Sequence, residues 1–259
     1  MDALFGHIAM VAVATARIMA MILVLPVFTR LGLTNLMRTG VAFALALPVM
    51  PLLAADLPGV IGLGGGTLVA VILKEAALGF LLGLVFGVPF WAAQSAGDVI
   101  DTQRGASIAY MVDPTALQEV SITGTFLELT LLALFFLSGG PMLVIGALYD
   151  SLLLWPILAP FPEFQPDTGK LLLGLLDKVL LIAVIVGGPL VIILFLVEAA
   201  MALISRISPS LPVSDLSLPI KGIAVFAVLP IYIVFFVDEA KRIVADLDGV
   251  LGELGQYLQ

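Results

Sequence analysis

The chain has 259 residues, of which 61% are hydrophobic and only 12% charged, and its 19 acidic and 11 basic groups leave a net charge of −8. Soluble domains carry about twice that charged share, so these residues do not cover a water-soluble globule, and lipid is the solvent that fits them. The acidic balance excludes a nucleic-acid footprint and a polybasic grip on anionic lipid, and the absence of cysteine excludes a disulfide framework or a thiolate metal site.

Asp2 stands where a secretory leader carries basic residues, and Arg17 lies inside the first apolar run. The N-terminus therefore reads as a retained helix and not as a cleaved signal. Met1-Asp2 also excludes N-myristoylation, which needs glycine at the second position. Seven apolar stretches follow in chain order: 8–28, 40–54, 68–92, 122–137, 141–156, 171–200 and 218–237. A helix needs about 20 apolar residues to cross a bilayer, which the first, third, sixth and seventh provide. The second is short and carries Pro48 and Pro51, which break or kink a helix. The fourth and fifth meet at Ser138-Gly139-Gly140-Pro141 and read as a short hairpin of re-entrant type. The sixth is too long for one straight span, and Gly187-Gly188-Pro189 near its middle predicts a kink or a break into half-helices.

If all seven stretches cross, one side holds Arg30, Arg38, Arg104, Lys170, Lys241 and Arg242, and the other holds Arg206 and Lys221. That bias places the C-terminus in the cytoplasm. From Asp238 onward the tail is amphipathic, with Ile243, Leu247, Val250, Leu251, Leu254 and Leu258 at helical spacing. Docking of this tail on the rest of the chain is the expected outcome.

The region 93–121 is the least ordinary. Asp98 and Asp101 share a helix face, and Asp101 and Arg104 are spaced to pair. Beyond Gly105, the residues Ile108, Tyr110, Met111 and Val112 form an apolar cluster that Asp113-Pro114 ends as a turn. Either this is a plain polar connector, which the spacing alone favours, or a polar helix end followed by a loop lying in a pathway.

Charges also interrupt the apolar stretches at Arg17, Lys74-Glu75, Glu128, Asp150, Asp177-Lys178, Glu198 and Lys221. A charge at the bilayer centre costs about 2.5–3.5 kcal/mol on insertion scales. For Lys74-Glu75 and Asp177-Lys178 an ion pair that glues helices is the expected role. Glu128 and Glu198 have no partner nearby in sequence and are stronger candidates for a functional contact. Gly79, Gly83 and Gly87 form a stripe that lets helix backbones approach closely.

Catalytic constellations are missing. His7 is the one histidine, which excludes a paired-histidine zinc site, and no phosphate-cradling Walker sequence occurs. Asp98 and Asp101 on one helix are a poor match for an aspartyl dyad, whose members come from separate segments. No cofactor is expected.

Several runs together resemble a known family over nearly the whole chain. They are Leu25-Pro26-Val27-Phe28-Thr29-Arg30, Arg38-Thr39-Gly40-Val41-Ala42, Lys74-Glu75 with Gly79-Phe80 and Gly83, and Pro89-Phe90-Trp91. The most specific is Gly97-Asp98-Val99-Ile100-Asp101-Thr102-Gln103-Arg104-Gly105-Ala106. Phe135 to Gly140, Trp155-Pro156, Ser208 to Val213 and Leu218-Pro219-Ile220-Lys221 complete the set. The chain resembles the T subunit of type III secretion export gates (SctT), the relative of flagellar FliR. The Asp-Thr-Gln-Arg-Gly-Ala run is closer to the injectisome branch than to the flagellar one.

The resemblance implies an all-α, polytopic protein of helical hairpins, with short or broken helices, in the bacterial inner membrane. It implies assembly with R and S subunits (FliP- and FliQ-like) and with a U subunit (FlhB-like), and passage of unfolded proteins. It further implies that 105–121 plugs the pore. Asp98, Asp101 and Arg104 would line or close a conduit, and Glu128, Glu198 and Lys221 would make buried pairs with neighbouring subunits. In this family the hairpins assemble into a pore raised above the membrane plane, so counting crossings misleads. The rival from another class is a small-molecule secondary transporter with a midplane site at the Gly187-Gly188-Pro189 break.

Overall fold

A computed structural model describes residues 2–54, 59, 64–105, 121–159, 168–208 and 213–249. The described residues form helices joined by turns, with no strand among them, and two compact units can be distinguished. One unit comprises residues 1–88, 140–173 and 247–259, and the other 89–139 and 174–246.

In the first unit, α1 (Asp2–Val24) runs to Leu25, where Pro26 starts the short α2 (Pro26–Arg30). Proline fits this first helical position because its missing N–H would have no partner there. Then α3 (Asn35–Ala46) is capped by the Thr34 hydroxyl, which accepts from the Met37 amide, and α4 (Met50–Leu53) is a single turn. Pro48 and Pro51 thus break the second apolar stretch, as its sequence predicts. Both α3 and α4 pack on α1. The long α5 (Gly65–Gln103) passes without interruption through Pro89. The first unit is completed by α7 (Gly140–Leu154) and the bend 155–159 after it.

The second unit holds the far end of α5, then α6 (Ile122–Leu137), most of α8 (Thr168–Ile207) and α9 (Val213–Ala245); a 3-10 turn (Asp246–Gly249) follows α9, and from Leu247 the chain belongs to the first unit. Between α6 and α7 the chain turns at Ser138-Gly139, with Gly139 at φ +82°. An L side chain rarely adopts that conformation, so glycine ends α6 there.

Among the described residues, four helices are long and apolar enough to cross a membrane: α1, α5, α8 and α9. The pair α6 and α7 passes the same test only jointly, and α3 and α4 are too short. The protein is therefore a helical membrane protein with fewer crossings than seven apolar stretches suggest. One expectation needs revision and a second can be placed. First, α8 is not broken at Gly187-Gly188-Pro189 but runs on to Ile207. Pro189 cannot donate to the carbonyl four residues earlier, while in the neighbouring turn the Val186 carbonyl accepts a 2.6 Å hydrogen bond from the Tyr232 hydroxyl of α9. With the helix intact, the half-helix ends that a midplane transport site needs are not formed. Second, the start of the amphipathic tail is docked on the rest of the chain, as expected. It continues α9, and Ile243, Val244 and Leu247 are buried. Residues 250–259 of the tail lie outside the described residues.

Candidate functional site

The polar end of α5 is held in the second unit by close contact with α6. A Cβ on Gly97 would overlap the backbone of Thr123 and Gly124. Gly97 and Gly124 thus set a crossing at which α5 meets the first turn of α6. One turn further along α5, Asp101 is 5% exposed and surrounded by donors. Its Oδ2 accepts from the Ser121 hydroxyl at 2.8 Å and the Thr123 amide at 3.0 Å. Its Oδ1 accepts from the Thr123 hydroxyl at 2.5 Å and pairs with Arg104 Nε at 3.0 Å. The Ser121 hydroxyl in turn accepts from the Gly124 amide at 2.8 Å.

An N-terminal helical turn carries unpaired amides and a partial positive charge, and a carboxylate there satisfies both. Asp101 therefore caps α6 from a different helix. Asp98, on the same face of α5, approaches the same turn: its Oδ1 lies 2.7 Å from where a Gly124 Cβ would stand. The i,i+3 spacing that put these two carboxylates on one face is what delivers both to the α6 N-terminus.

Two cations complete the cluster. The Arg104 guanidinium lies 5.6 Å from the ring centroid of Phe226 on α9, in cation–π range. Lys221 Nζ donates to the Gln103 carbonyl at 3.3 Å and pairs with Glu198 of α8 at 3.1 Å. The last carbonyls of a helix favour a cation, so Lys221 holds the C-terminal end of α5. Gly105, at φ +80°, then takes the chain out of the helix.

The side chain of Lys221 is 9% exposed and that of Glu198 is 60% exposed. These two residues are thus partners of each other within the chain. So open a pair contributes at most about 1 kcal/mol. Glu198→Gln is expected to shift the unfolding temperature of the detergent-solubilised protein by no more than a few degrees, read in a thermal melt. Glu128 is buried on α6 at 1% exposure. Ile108, Tyr110, Met111, Val112, Asp113 and Pro114, expected from the resemblance to form a plug, lie outside the described residues.

The first unit carries a second charged cluster, which sequence reading anticipated only in part. Glu75 is fully buried and receives Arg17 Nε of α1 at 2.8 Å and Lys74 Nζ at 3.1 Å. Arg17 also donates to the Ser151 hydroxyl at 3.0 Å and the Trp155 carbonyl at 2.8 Å. Lys74 donates to the carbonyls of Pro156, Ile157 and Ala159 at 3.0, 2.6 and 2.9 Å. Lys74 and Glu75 do pair, but one ion pair leaves donors and acceptors of two buried side chains unmet, so each needed a further partner from another segment. That requirement was the available signal for Arg17 and for the 155–159 bend. In the glycine stripe, a Cβ on Gly79 would overlap the Arg17 backbone, and one on Gly83 would press on Val24. Gly87 is buried. Gly79 and Gly83 therefore pack α5 against α1.

These clusters hold helices together: Asp101 accepts three hydrogen bonds from Ser121 and Thr123 and is ion-paired with Arg104.

A family model described as bacterial export proteins, family 1, matches residues 8–247. The chain belongs to that family. It is 37% identical over 227 residues to Yop proteins translocation protein T of Yersinia pestis, covering 87% of this chain and 86% of that protein. It is 27% identical over 237 residues to Surface presentation of antigens protein SpaR of Salmonella typhimurium, covering 91% and 88%. It is also 30% identical over 215 residues to Flagellar biosynthetic protein FliR of Bacillus subtilis, covering 82% of each. Two of these names describe translocation or flagellar biosynthesis, and the third describes surface presentation of antigens. The family places this helical membrane chain among bacterial export components.

Proposed function

We propose that this chain is the T subunit of a type III secretion export gate in the bacterial inner membrane. It would assemble there with R and S subunits and a U subunit, and form part of the conduit for unfolded protein substrates. The observation that carries this reading is similarity to a translocation protein T over 87% of the chain, within a family match covering residues 8–247. The charge pattern supports a subunit over a free-standing protein. Glu198 stands exposed on an otherwise apolar stretch of α8, beside Phe195 at 68% and Leu196 at 61% exposure. Lipid is a costly neighbour for a carboxylate, whereas a polar group on an adjacent subunit is a favourable one. In this reading Glu198, with its partner Lys221, serves a subunit contact, while Glu128 is buried within this chain; residues 98–104 border the conduit, and 105–121 plugs it.

Tagged chain purified from membranes of its host should bring down two different small multi-pass membrane proteins. A monodisperse homo-oligomer with neither of them would overturn the assignment. Deletion of 108–112 tests the plug separately. The complex should still assemble, while cells become permeable to ions and small dyes because apolar side chains no longer exclude water from the path. Normal permeability with normal assembly would reduce the segment to a connector.

A further inference from the structure

We propose that the bend 155–159 is a cage for a monovalent cation, and that the ammonium of Lys74 is its resident ion. Three backbone carbonyls converge on Lys74 Nζ: Pro156 at 3.0 Å, Ile157 at 2.6 Å and Ala159 at 2.9 Å. The Glu75 carboxylate stands beside them, with Oε1 at 3.1 Å. Oxygens from two segments thus surround one buried positive charge. Every group involved belongs to the first unit, so the cage holds whichever assembly the chain joins.

The backbone explains why a cation is needed there. Beyond Leu154 the helical ladder of α7 stops, and a carbonyl left without a donor away from water is costly. The Ala159 amide closes a single turn on the Pro156 carbonyl at 3.1 Å, while Trp155 and Ile157 are buried. The Trp155 carbonyl accepts from Arg17, and the carbonyls after it turn to Lys74. Carbonyl rings in channels replace the hydration shell of an ion in the same way. A planar guanidinium fork would not serve, whereas a compact ammonium faces several oxygens at once.

Distance and charge fix the class of ion. Oxygens at 2.6 to 3.1 Å lie farther out than the roughly 2.3–2.6 Å of calcium ligands and the roughly 2.0–2.1 Å of magnesium ligands. Glu75 is also shared with Arg17, so a divalent ion would leave one more buried positive charge than the lysine does. A singly charged ion of ammonium size, either ammonium itself or potassium, matches both. Cutting the lysine back to its Cβ should leave room for one.

The test follows the full-length chain in detergent through thermal melts. Potassium or ammonium chloride is exchanged for choline chloride at constant ionic strength. Wild type should melt alike in all three salts, because its cage is filled. Lys74→Ala should melt lower in choline, which is too bulky to enter, and recover in potassium or ammonium. Above half-filling, linkage raises the unfolding temperature by about 3–5 °C for each tenfold rise in the ion. Lys74→Met keeps the stem and fills the space, so it should melt low in every salt. The chain has no native cysteine, so Ala159→Cys puts a single thiol on the bend and keeps its carbonyl in the cage. That thiol should react slowly with a maleimide in the wild-type background. With Lys74→Met it should react about tenfold faster or more, the effect of losing hydrogen bonds to a charged group. With Lys74→Ala it should be fast in choline and slow again in potassium.

A Lys74→Ala protein that melts equally low in potassium, ammonium and choline would show that no free ion enters, and would overturn the proposal. Should Lys74→Ala fail to accumulate, the thiol decides: a rate with Lys74→Met equal to that in the wild-type background would mean that the bend keeps its shape without a cation, and the cage would fall.

Discussion

Glu75→Ala is expected to deplete the protein from membranes, with the largest effect of any single charge removal in the chain. Glu75 is fully buried, and Arg17 and Lys74 beside it are 1% and 4% exposed. Without the carboxylate, two cations face each other with no counter-charge. Breaking a buried pair by deleting one partner costs about 3–5 kcal/mol. Membrane surroundings supply no water to soften that cost. Against a total stability of about 5–15 kcal/mol, most molecules would fail quality control. Glu75→Gln keeps an acceptor oxygen but loses the charge and should fall between wild type and Ala.

The double variant Arg17→Met with Glu75→Ala separates charge from packing. It removes one cation along with the carboxylate, so it should do less damage than Glu75→Ala alone, with a coupling of about 0.5–3 kcal/mol. Membrane abundance of full-length chain and the unfolding temperature in detergent are the measurements. If Glu75→Ala accumulates and melts like wild type, the cluster is not a stabilising hub.

How much of this was legible in the residues depends on the range of each interaction. The helix positions follow from local apolar runs, so 122–137 and the start of the following helix match their stretches to within a residue or so. The Asp101–Arg104 pair was legible because i,i+3 geometry is fixed by the helix itself. That Asp101 also caps α6 was not, because nothing local says which helix start a carboxylate will meet. A retrospective signal exists: Gly97 lies one turn before Asp101, and Gly124 just after Ser121, so both segments offer a small residue for close approach beside a polar cap. The break expected at Gly187-Gly188-Pro189 followed from intrinsic propensity. Packing in the second unit overrides it, with Gly187 close to the Ala96 carbonyl and Tyr232 bonded to the Val186 carbonyl. Glu198 and Lys221 each looked unpartnered because their spacing of 23 residues hides a contact made by two separate helices.

Gly79→Leu should disrupt the chain more than any other change in the glycine stripe, and the order within the stripe is itself a test. An added Cβ at Gly79 would coincide with the Arg17 backbone, which cannot rotate away as a side chain can. Even Gly79→Ala must push α1 and α5 apart. Ordinary overpacking costs about 1–3 kcal/mol. Here the displacement carries a second cost, because Gly79 lies one turn beyond Glu75 on the same face of α5. Moving α1 outward draws the Arg17 guanidinium away from Glu75, Ser151 and the Trp155 carbonyl together. At Gly83 an added Cβ meets the Val24 side chain and sits 3.1 Å from the Met21 carbonyl. That approach is much less close than the one at Gly79, so Gly83→Ala should be milder, although Gly83→Leu should still block assembly. Gly146 on α7 has open space around it, and Gly146→Ala should be neutral or stabilise by up to about 1 kcal/mol, the helix-propensity difference. Unfolding temperatures of the solubilised protein should therefore fall in the order Gly146→Ala, wild type, Gly83→Ala, Gly79→Ala, Gly79→Leu. If Gly79→Ala melts no lower than Gly83→Ala, α1 and α5 are not in backbone contact at Arg17, and the charged hub must be held in register by some other contact.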